Sequence, residues 1–492
     1  MKSILLFSRC QLVHLYGSID KFLRLEFDIT HLAYSSKEKK ILEEKYGIEK
    51  VILFKEEVEK VYNLEKLDLN LCNEIDSLII KNSNSRFCLN SAIQSDRTFK
   101  SVTYRDSLVL SQVYYKFWKS FFLKRNIDFI IHEPNSLFFN QIASILSVNY
   151  GIKYLTQIQV AGNKEYNWIF VRGDDGFPVE VSNYINDNNS KDSDIERVKS
   201  FLLSFRKDKE ALLSQMSKEI KSNYSLVGFI KDIIIITIRH LKNSLSHRKQ
   251  TKKDSLLHVE MYLSKGEKSF LQNFRNKVDY YFQLKYDSFD DKEIFYFYPL
   301  HLEPEAVVLY WGDGIYENQT KLIENIASQL PPNCFLYVKD HPHGGDYRDY
   351  SDYSKIQAIK NVKLLNPKLS GREIISKSKG VITINGSAGF EAILMNKQVF
   401  TFGNSFYNVC DRVIKIDNIR SLRKLLYKNY SIIHKDDSSL YSFVDAYLKS
   451  VHAGFTVFFS DYVEKFNIDI ENNAEVVANE MSKYLGSNKS SE

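Results

Sequence analysis

Cysteine is scarce in this chain, and its few occurrences are scattered. Five cysteines (Cys10, Cys72, Cys88, Cys334, Cys410) stand in 492 residues, an odd number with no C-x-x-C spacing. That pattern argues against a disulfide framework and offers no zinc-binding set; it points to reduced, mostly buried thiols in a cytoplasmic protein. Long apolar runs are missing too, since none reaches the roughly eighteen residues that a membrane span requires. The opening stretch, MKSILLFSRCQLVHLYG, has no small-residue cleavage pattern after its apolar run, so it is expected to be a first strand and not a signal peptide. There are no internal repeats or low-complexity tracts. Charge of one sign is in slight excess, at +6 overall, and it is concentrated. Residues 206–253 hold twelve Lys/Arg against four Asp/Glu, a net of +8 that leaves −2 for the remainder. A generally basic, nucleic-acid-binding surface is therefore not indicated.

What is present is the composition of a globular protein, 44% apolar and 26% charged. The length suggests two domains of about 150 to 250 residues each. Residues 1–185 alternate short apolar runs (SILLFS, VILFK, DFIIHE, KYLTQIQV) with stretches of helical periodicity such as SLVLSQVYYKFWKSFFLKRN and NQIASILSVNYG. Such alternation predicts a parallel sheet covered by helices. NWIFVRGDDGFPVEV is expected to form two strands around a turn at Asp175-Gly176. Residues 186–285 read as a helical, basic connection, in which Leu226, Phe229, Ile230, Ile233, Ile234, Ile238, Leu241 and Leu245 trace an apolar stripe. A stripe of this kind packs on a domain or lies on an anionic membrane surface. Over 286–492, the runs EIFYFYPL, CFLYVK, VKLLN, VITI and QVFTF predict strands of a second doubly wound unit with a helical tail. Pro367 is expected in the first turn of one of its helices.

In an open parallel sheet, ligands bind beyond the carboxyl ends of the strands, where the following helices present unpaired N–H groups. CFLYVK delivers Lys339, His341, Pro342 and His343 to that edge, and VITI delivers Asn385, Gly386, Ser387, Ala388 and Gly389 just before a helix. The glycines allow close backbone approach, and the Ser387 hydroxyl adds to the first-turn N–H groups, a set that suits phosphate. Phosphate would repel Glu391, one turn further in, so its expected partner is a pair of sugar hydroxyls such as a ribose. His341 is expected to donate to a departing phosphate. Plainer readings stand beside these: a histidine before proline is often only a loop residue, and GSAG is common wherever a strand turns tightly.

LHLEPEAVV, LYVKDHPHG, NVKLLNP and ITINGSAGFEAILMNKQVFTFGNSFY together resemble the capsule polysaccharide biosynthesis protein family, which contains bacterial Kdo transferases of capsule export loci. The resemblance implies an α/β, GT-B-like glycosyltransferase. In such a fold two Rossmann-like domains with parallel sheets face a cleft, here with the helical basic segment between them. Residues 1–185 would form the acceptor-side domain and 286–492 the nucleotide-sugar-binding one. By likeness to bacterial sialyltransferases with an HP motif and a downstream serine motif, His341-Pro342 and Ser387 would contact the donor, and Glu391 the ribose. Glu303 and Glu305 also match the family, and would either line the cleft or anchor the domain junction. Two positions depart from it: Asn385 stands where many relatives have threonine or serine, and Gln398 where a proline often follows lysine.

A transferase also needs a base or nucleophile. Glu133 closes the strand-like run DFIIHE, and Asp174-Asp175-Gly176 resembles the acidic D-D-G motif of some sialyltransferases. The alternatives are a solvated loop acid for Glu133 and a hairpin turn for Asp174 and Asp175. No D-x-D motif lies in a convincing site, which favours metal-independent chemistry. The expectation is a cytoplasmic glycosyltransferase acting on a bacterial surface polysaccharide, capsule or O-antigen. It would need no cofactor beyond its nucleotide-sugar donor, with a CMP-sugar among the candidates. Its partners would be a glycan or lipid-linked glycan acceptor and the inner face of the cytoplasmic membrane, with no nucleic acid. The alternatives are a polyol-phosphate transferase of teichoic-acid type and a non-catalytic assembly protein.

Overall fold

The computed structural model describes residues 1–83, 87–99, 102–160, 167–187, 194–207, 226–246, 270–303, 307–312, 314–341, 348–429, 438–457, 463–464 and 466–487. They fall into two compact units, the first formed by Met1–Phe99, Thr103–Val198 and Ser442–Glu492, the second by Lys199–Tyr441.

In the first unit the apolar runs become β1 (Ser3–Ser8), β2 (Asp28–Ala33), β3 (Val51–Leu53), β4 (Phe129–Ile131), β5 (Lys153–Val160) and β6 (Asn167–Arg172). A short strand, His452–Ala453, lies on the edge next to β6, and the order across the sheet continues β5-β4-β1-β2-β3. Strands β1 to β5 are parallel, while β6 and the edge strand run antiparallel to their neighbours. After the turn at Asp174 to Gly176, the residues expected as a second hairpin strand instead form the helix Val179–Asn186, with Pro178 at its N-cap position and Val181 buried. The end of the chain returns to this unit. Along the helix Ile470–Ser487, Ala474, Val477, Ala478, Met481 and Leu485 bury against Leu15, Tyr16, Ile19 and Leu23 of the helix Leu12–Leu23.

The second unit holds a six-stranded parallel sheet: β7 (Phe295–Pro299), β8 (Phe335–Lys339), β9 (Val362–Leu365), β10 (Gly380–Thr383), β11 (Gln398–Thr401) and β12 (Val413–Lys415), in the order β12-β11-β10-β7-β8-β9. Tyr298, Leu336, Val338, Leu364, Ile382 and Phe400 pack with Leu322, Ile323 and Ile326 of the helix Gln319–Gln329 and with Leu422 and Leu426 of the helix Ile419–Asn429. Pro367 precedes its helix instead of opening it. That helix is Gly371–Lys377, capped by Ser370, whose hydroxyl accepts from the Glu373 N–H at 3.3 Å.

Both sheets run outward from a central pair, β1 and β4 in one, β7 and β10 in the other. In each, the direction of winding reverses between those two strands. The carboxyl end of such a pair is where a doubly wound sheet opens a crevice for ligands.

Candidate functional site

At the reversal point of the second sheet, the chain leaves β10 through Ile384, Asn385 and Gly386 and enters the helix Ser387–Leu394. Gly386 occupies the N-cap position, so no side chain caps this helix, and Ser387 is exposed. Uncapped first-turn N–H groups carry the positive end of the helix dipole and suit an anion. The glycines have packing reasons of their own. A Cβ on Gly386 would come within 2.8 Å of His301 Cε1, and one on Gly389 within 2.4 Å of the Tyr407 hydroxyl.

His301 follows β7 and is buried at the centre of this edge. Its Nε2 lies 3.1 Å from Thr383 Oγ1, which also accepts from the Gly386 N–H at 3.2 Å. Burial, reinforced by His341 and Arg348 nearby, pulls the His301 imidazole down to about 3, so it is neutral at pH 7. On the other side, at the end of β8, Lys339 is half-buried, and burial lowers its pKa against the opposing pull of Asp340 and Glu391. The Lys339 ammonium makes no hydrogen bond or ion pair with any described residue. His341 next to it is half-exposed. Because β8 and β10 flank β7, their ends stand about 10 Å apart.

A buried scaffold fixes these loops. Arg348, 3% exposed at its side chain, donates to Glu303 at 3.1 Å and to the His301 carbonyl at 2.8 Å, and its Nε lies 3.7 Å from Asp340. Asp340 accepts from the His341 N–H at 2.8 Å and from the Tyr353 hydroxyl. Burial raises the Asp340 pKa, even with Arg348 and Tyr353 stabilising its charge. Gln319, fully buried, accepts from the His301 N–H at 2.9 Å and donates to the His301 carbonyl at 3.0 Å and to Glu303 at 2.6 Å. Glu303 thus ties the loop after β7 to the helix Gln319–Gln329. Glu391 is buried too: Arg372 Nε lies 3.3 Å from its Oε2, and the Arg372 guanidinium sits 3.9 Å over the Phe205 ring.

The reversal point of the first sheet has a different chemistry. Arg9 follows β1 and pairs with Glu133, which follows β4. Glu133 Oε1 also accepts from Ser136 Oγ at 2.8 Å and from Asn140 Nδ2 at 3.4 Å, whereas Oε2 takes no hydrogen bond from any described residue. The Glu133 side chain remains 21% exposed. Burial alone would raise its pKa; Arg9, His132, Ser136 and Asn140 outweigh that and hold it below the usual carboxylate value. His132 donates from Nδ1 to the Phe7 carbonyl at 2.8 Å, and burial brings it down to about 4. Around the pair, Ser8 Oγ, both amide atoms of Asn135, the Tyr154 hydroxyl and Thr156 Oγ1 are buried without a hydrogen-bond partner among the described residues. Buried polar groups of this kind call for a specific explanation.

The structure therefore brings Lys339, His341, Gly386, Ser387 and Ala388 to one sheet edge, with Asn385 buried just behind them. Asp175 lies in a turn, where it accepts from Arg172 Nε at 3.1 Å and the Phe177 N–H at 3.0 Å while Gly176 takes φ +69°. Asp174 is in the same turn, 4.0 Å from Arg172 Nε. Pro342, His343 and Glu305 lie outside the described residues. His301, Arg348, Asp340, Gln319 and Arg9 were not singled out from the sequence. His301, Asp340 and Arg9 carried a signal, as residues directly following apolar runs that end at a strand's carboxyl edge; Arg348 and Gln319 carried none.

Residues 242–411 match the model of the family described as capsule polysaccharide biosynthesis protein. Protein FixF of Sinorhizobium fredii is 32% identical over 116 residues, which cover 24% of this chain and 27% of that protein. The chain thus spans about a quarter of the length of this curated relative. Among solved structures, a Thermosulfurimonas dismutans KpsC, titled beta Kdo 2,4 transferase, is 12% identical over 67% of this chain and 82% of its own, with a TM-score of 0.38. A second, titled beta Kdo 2,7 transferase, is 13% identical over 73% and 89%, with a TM-score of 0.32. The UDP-GlcNAc 2-epimerase of Methanocaldococcus jannaschii, in complex with UDP-GlcNAc and UDP, is 13% identical over 88% and 94%, with a TM-score of 0.28. The loops after β7, β8 and β10 all lie within residues 242–411, the segment through which the chain carries the likeness to the capsule polysaccharide biosynthesis family.

Proposed function

We propose that the chain transfers a sugar from a nucleotide-sugar donor to a growing bacterial surface polysaccharide. One observation carries the reading: at the reversal point of the second sheet, an uncapped helix N-terminus at Ser387 and Lys339, whose ammonium has no partner among the described residues, flank the neutral His301, with His341 beside them. Groups of this kind hold a nucleotide's phosphate and stabilise its charge as the sugar departs. The family match of residues 242–411 supports surface polysaccharide as the product class.

Glu133 is the candidate base. Arg9, Ser136 and Asn140 fix Oε1, leaving Oε2 to take the proton of an acceptor hydroxyl as the glycosidic bond forms and the nucleotide phosphate leaves. The unpartnered amide and hydroxyl groups around it suit a hydroxyl-rich acceptor, a glycan carried on a lipid at the inner face of the cytoplasmic membrane. Asp174 and Asp175 take the turn role, and Glu303 and Glu391 the role of fixing Arg348 and Arg372.

Thermal unfolding with CMP, UDP, GDP and CDP tests the donor site. A nucleotide at a hundred times its Kd adds about 2.7 kcal/mol to stability. One of the four is expected to raise the Tm of the wild type and not of His341→Ala; no shift with any of them, or an equal shift in both proteins, overturns the site. Product mass tests the reaction, and a phosphorus-containing increment would assign polyol-phosphate transfer instead.

A further inference from the structure

Among the described residues, the helix Leu226–Ser246 packs on the helix Phe270–Phe282 through one side. Phe229 lies 5.3 to 6.4 Å from the rings of Phe274, Tyr281 and Phe282. Asp232 receives Lys277 Nζ at 2.9 Å and the Tyr281 hydroxyl at 3.2 Å. The opposite side is apolar and open: Ile230 is 56% exposed, Ile234 53%, Ile238 49% and Leu241 57%. At about 100° per residue these four fall within an arc of about 80°. Lys231, exposed, borders that arc. The stripe expected from the sequence has thus been divided, with Phe229 inside the helix pair and four branched residues outside it.

Scattered exposed apolar residues need no explanation, but a contiguous ridge of four does. The charge of the segment that carries the ridge, counted along the sequence, indicates what covers it. Residues 206–253 carry a net of +8 in a chain whose remainder is −2. Among the described residues no helix is long and apolar enough to cross a membrane. A helix with an open apolar arc bordered by basic residues lies in the plane of an anionic lipid surface. We propose that the helix Leu226–Ser246 seats the second unit on an anionic membrane surface, with Ile230, Ile234, Ile238 and Leu241 entering the headgroup boundary. The seat is joined to the donor edge: Tyr280 of the helix Phe270–Phe282 meets Tyr353 at 5.9 Å between ring centroids, and the Tyr353 hydroxyl holds Asp340 beside His341. The seat goes beyond the transfer reading and stands or falls without it.

Flotation of the full chain with lipid vesicles tests the proposal. Phosphatidylglycerol-containing vesicles are expected to carry the wild type upward, pure phosphatidylcholine vesicles far less, and high salt is expected to release it. The double variant Ile234→Glu/Ile238→Glu is expected to lose vesicle binding by about tenfold or more. Its melting curve and its nucleotide-induced Tm shift should stay those of the wild type, because both positions are exposed and remote from the donor loops. Failure to float with anionic vesicles overturns the proposal, as does flotation that the double variant leaves unchanged. Self-association of the wild type that the variant abolishes, without vesicle binding, would assign the ridge to a second copy of the chain and overturn it too.

Discussion

Arg348 ties the loop after β7 to the loop after β8, and its replacement by methionine measures what this edge of the second sheet rests on. The substitution keeps most of the side-chain volume and removes the guanidinium from Glu303, the His301 carbonyl and Asp340. Removing one partner of a buried ion pair costs about 3–5 kcal/mol. Two features favour the lower end of that range. Glu303 is 24% exposed and gains water, and Asp340 keeps its bonds from Tyr353 and the His341 N–H. Asp340 then carries most of the loss, because it stays buried with its charge uncompensated. Its pKa is already raised in the folded protein, so its contribution to stability is full below the ordinary value near 3.8 and is lost as pH rises through the folded value. Without Arg348 that folded value climbs further, and the deficit of Arg348→Met should shrink as the pH is lowered. Urea unfolding, with hydrogen exchange read on β7 and β8, gives the deficit for this unit alone. The double variant Arg348→Met/Asp340→Asn should recover about 1–3 kcal/mol of it, the usual coupling of residues in one network. A deficit under about 1 kcal/mol, or no recovery in the double variant, refutes the account of the scaffold.

Acid should weaken both units through their buried histidines. His132 and His301 are depressed from 6.5 to about 4 and about 3, so their stabilising contribution is complete above 6.5 and falls with pH, by about 2 kcal/mol for each histidine at pH 5. His301→Gln should flatten the second unit's pH profile; an unaltered profile rejects the assignment. Gly389→Ala drives a methyl against the Tyr407 hydroxyl, which donates to the Gly386 carbonyl at 2.7 Å, and should cost about 1–3 kcal/mol by overpacking. Tyr407→Phe in the same chain should restore part of that loss, and a Gly389→Ala protein as stable as the wild type counts against the packing described. Glu133→Gln should lower transfer by about 10²–10⁴-fold, the usual contribution of a general base. Nucleotide-induced stabilisation should be unchanged in that variant, and undiminished turnover would remove Glu133 from the chemistry.

The strands that could be read from the sequence were those whose residues are apolar throughout, as in SILLFS, CFLYVK and VITI. β2 could not be read that way, because DITHLA carries His31 into the interior. There His31 Nε2 pairs with Asp20 of the helix Leu12–Leu23 at 2.8 Å, a pairing that periodicity cannot show. The final helix announced an apolar stripe but not the surface that receives it; the small faces of Ala474 and Ala478 match the helix Leu12–Leu23 of the same unit, far away in the sequence. At the carboxyl edge of the second sheet, position along the chain was enough to place Lys339, His341 and Ser387 together. Arg348 was invisible because an arginine in a polar run reads as solvated, and only its three partners reveal a buried strut. Gly386 and Gly389 were marked for a reason that proved incomplete: the space beside them is filled by His301 and Tyr407.

The two reversal points share a topology and differ in the chemistry of their buried groups, and the difference supports different proposed ligands. Beyond β1 and β4 the buried groups are one carboxylate, anchored through a single oxygen by Arg9, and a set of neutral amides and hydroxyls. Such an environment repels phosphate and receives hydroxyls, and its ionised carboxylate can take a proton. Beyond β7, β8 and β10 the carboxylates Asp340, Glu303 and Glu391 are each held by an arginine, whereas Lys339 has no ion-pair partner among the described residues and the helix at Ser387 has no side-chain cap. With the acids turned toward arginines, Lys339 and the uncapped N–H groups at Ser387 are the groups this edge presents, a set that suits a phosphate. Had the chain placed an unpaired acid beside Lys339, or capped the helix at Ser387 with an aspartate, the same topology would hold no anion.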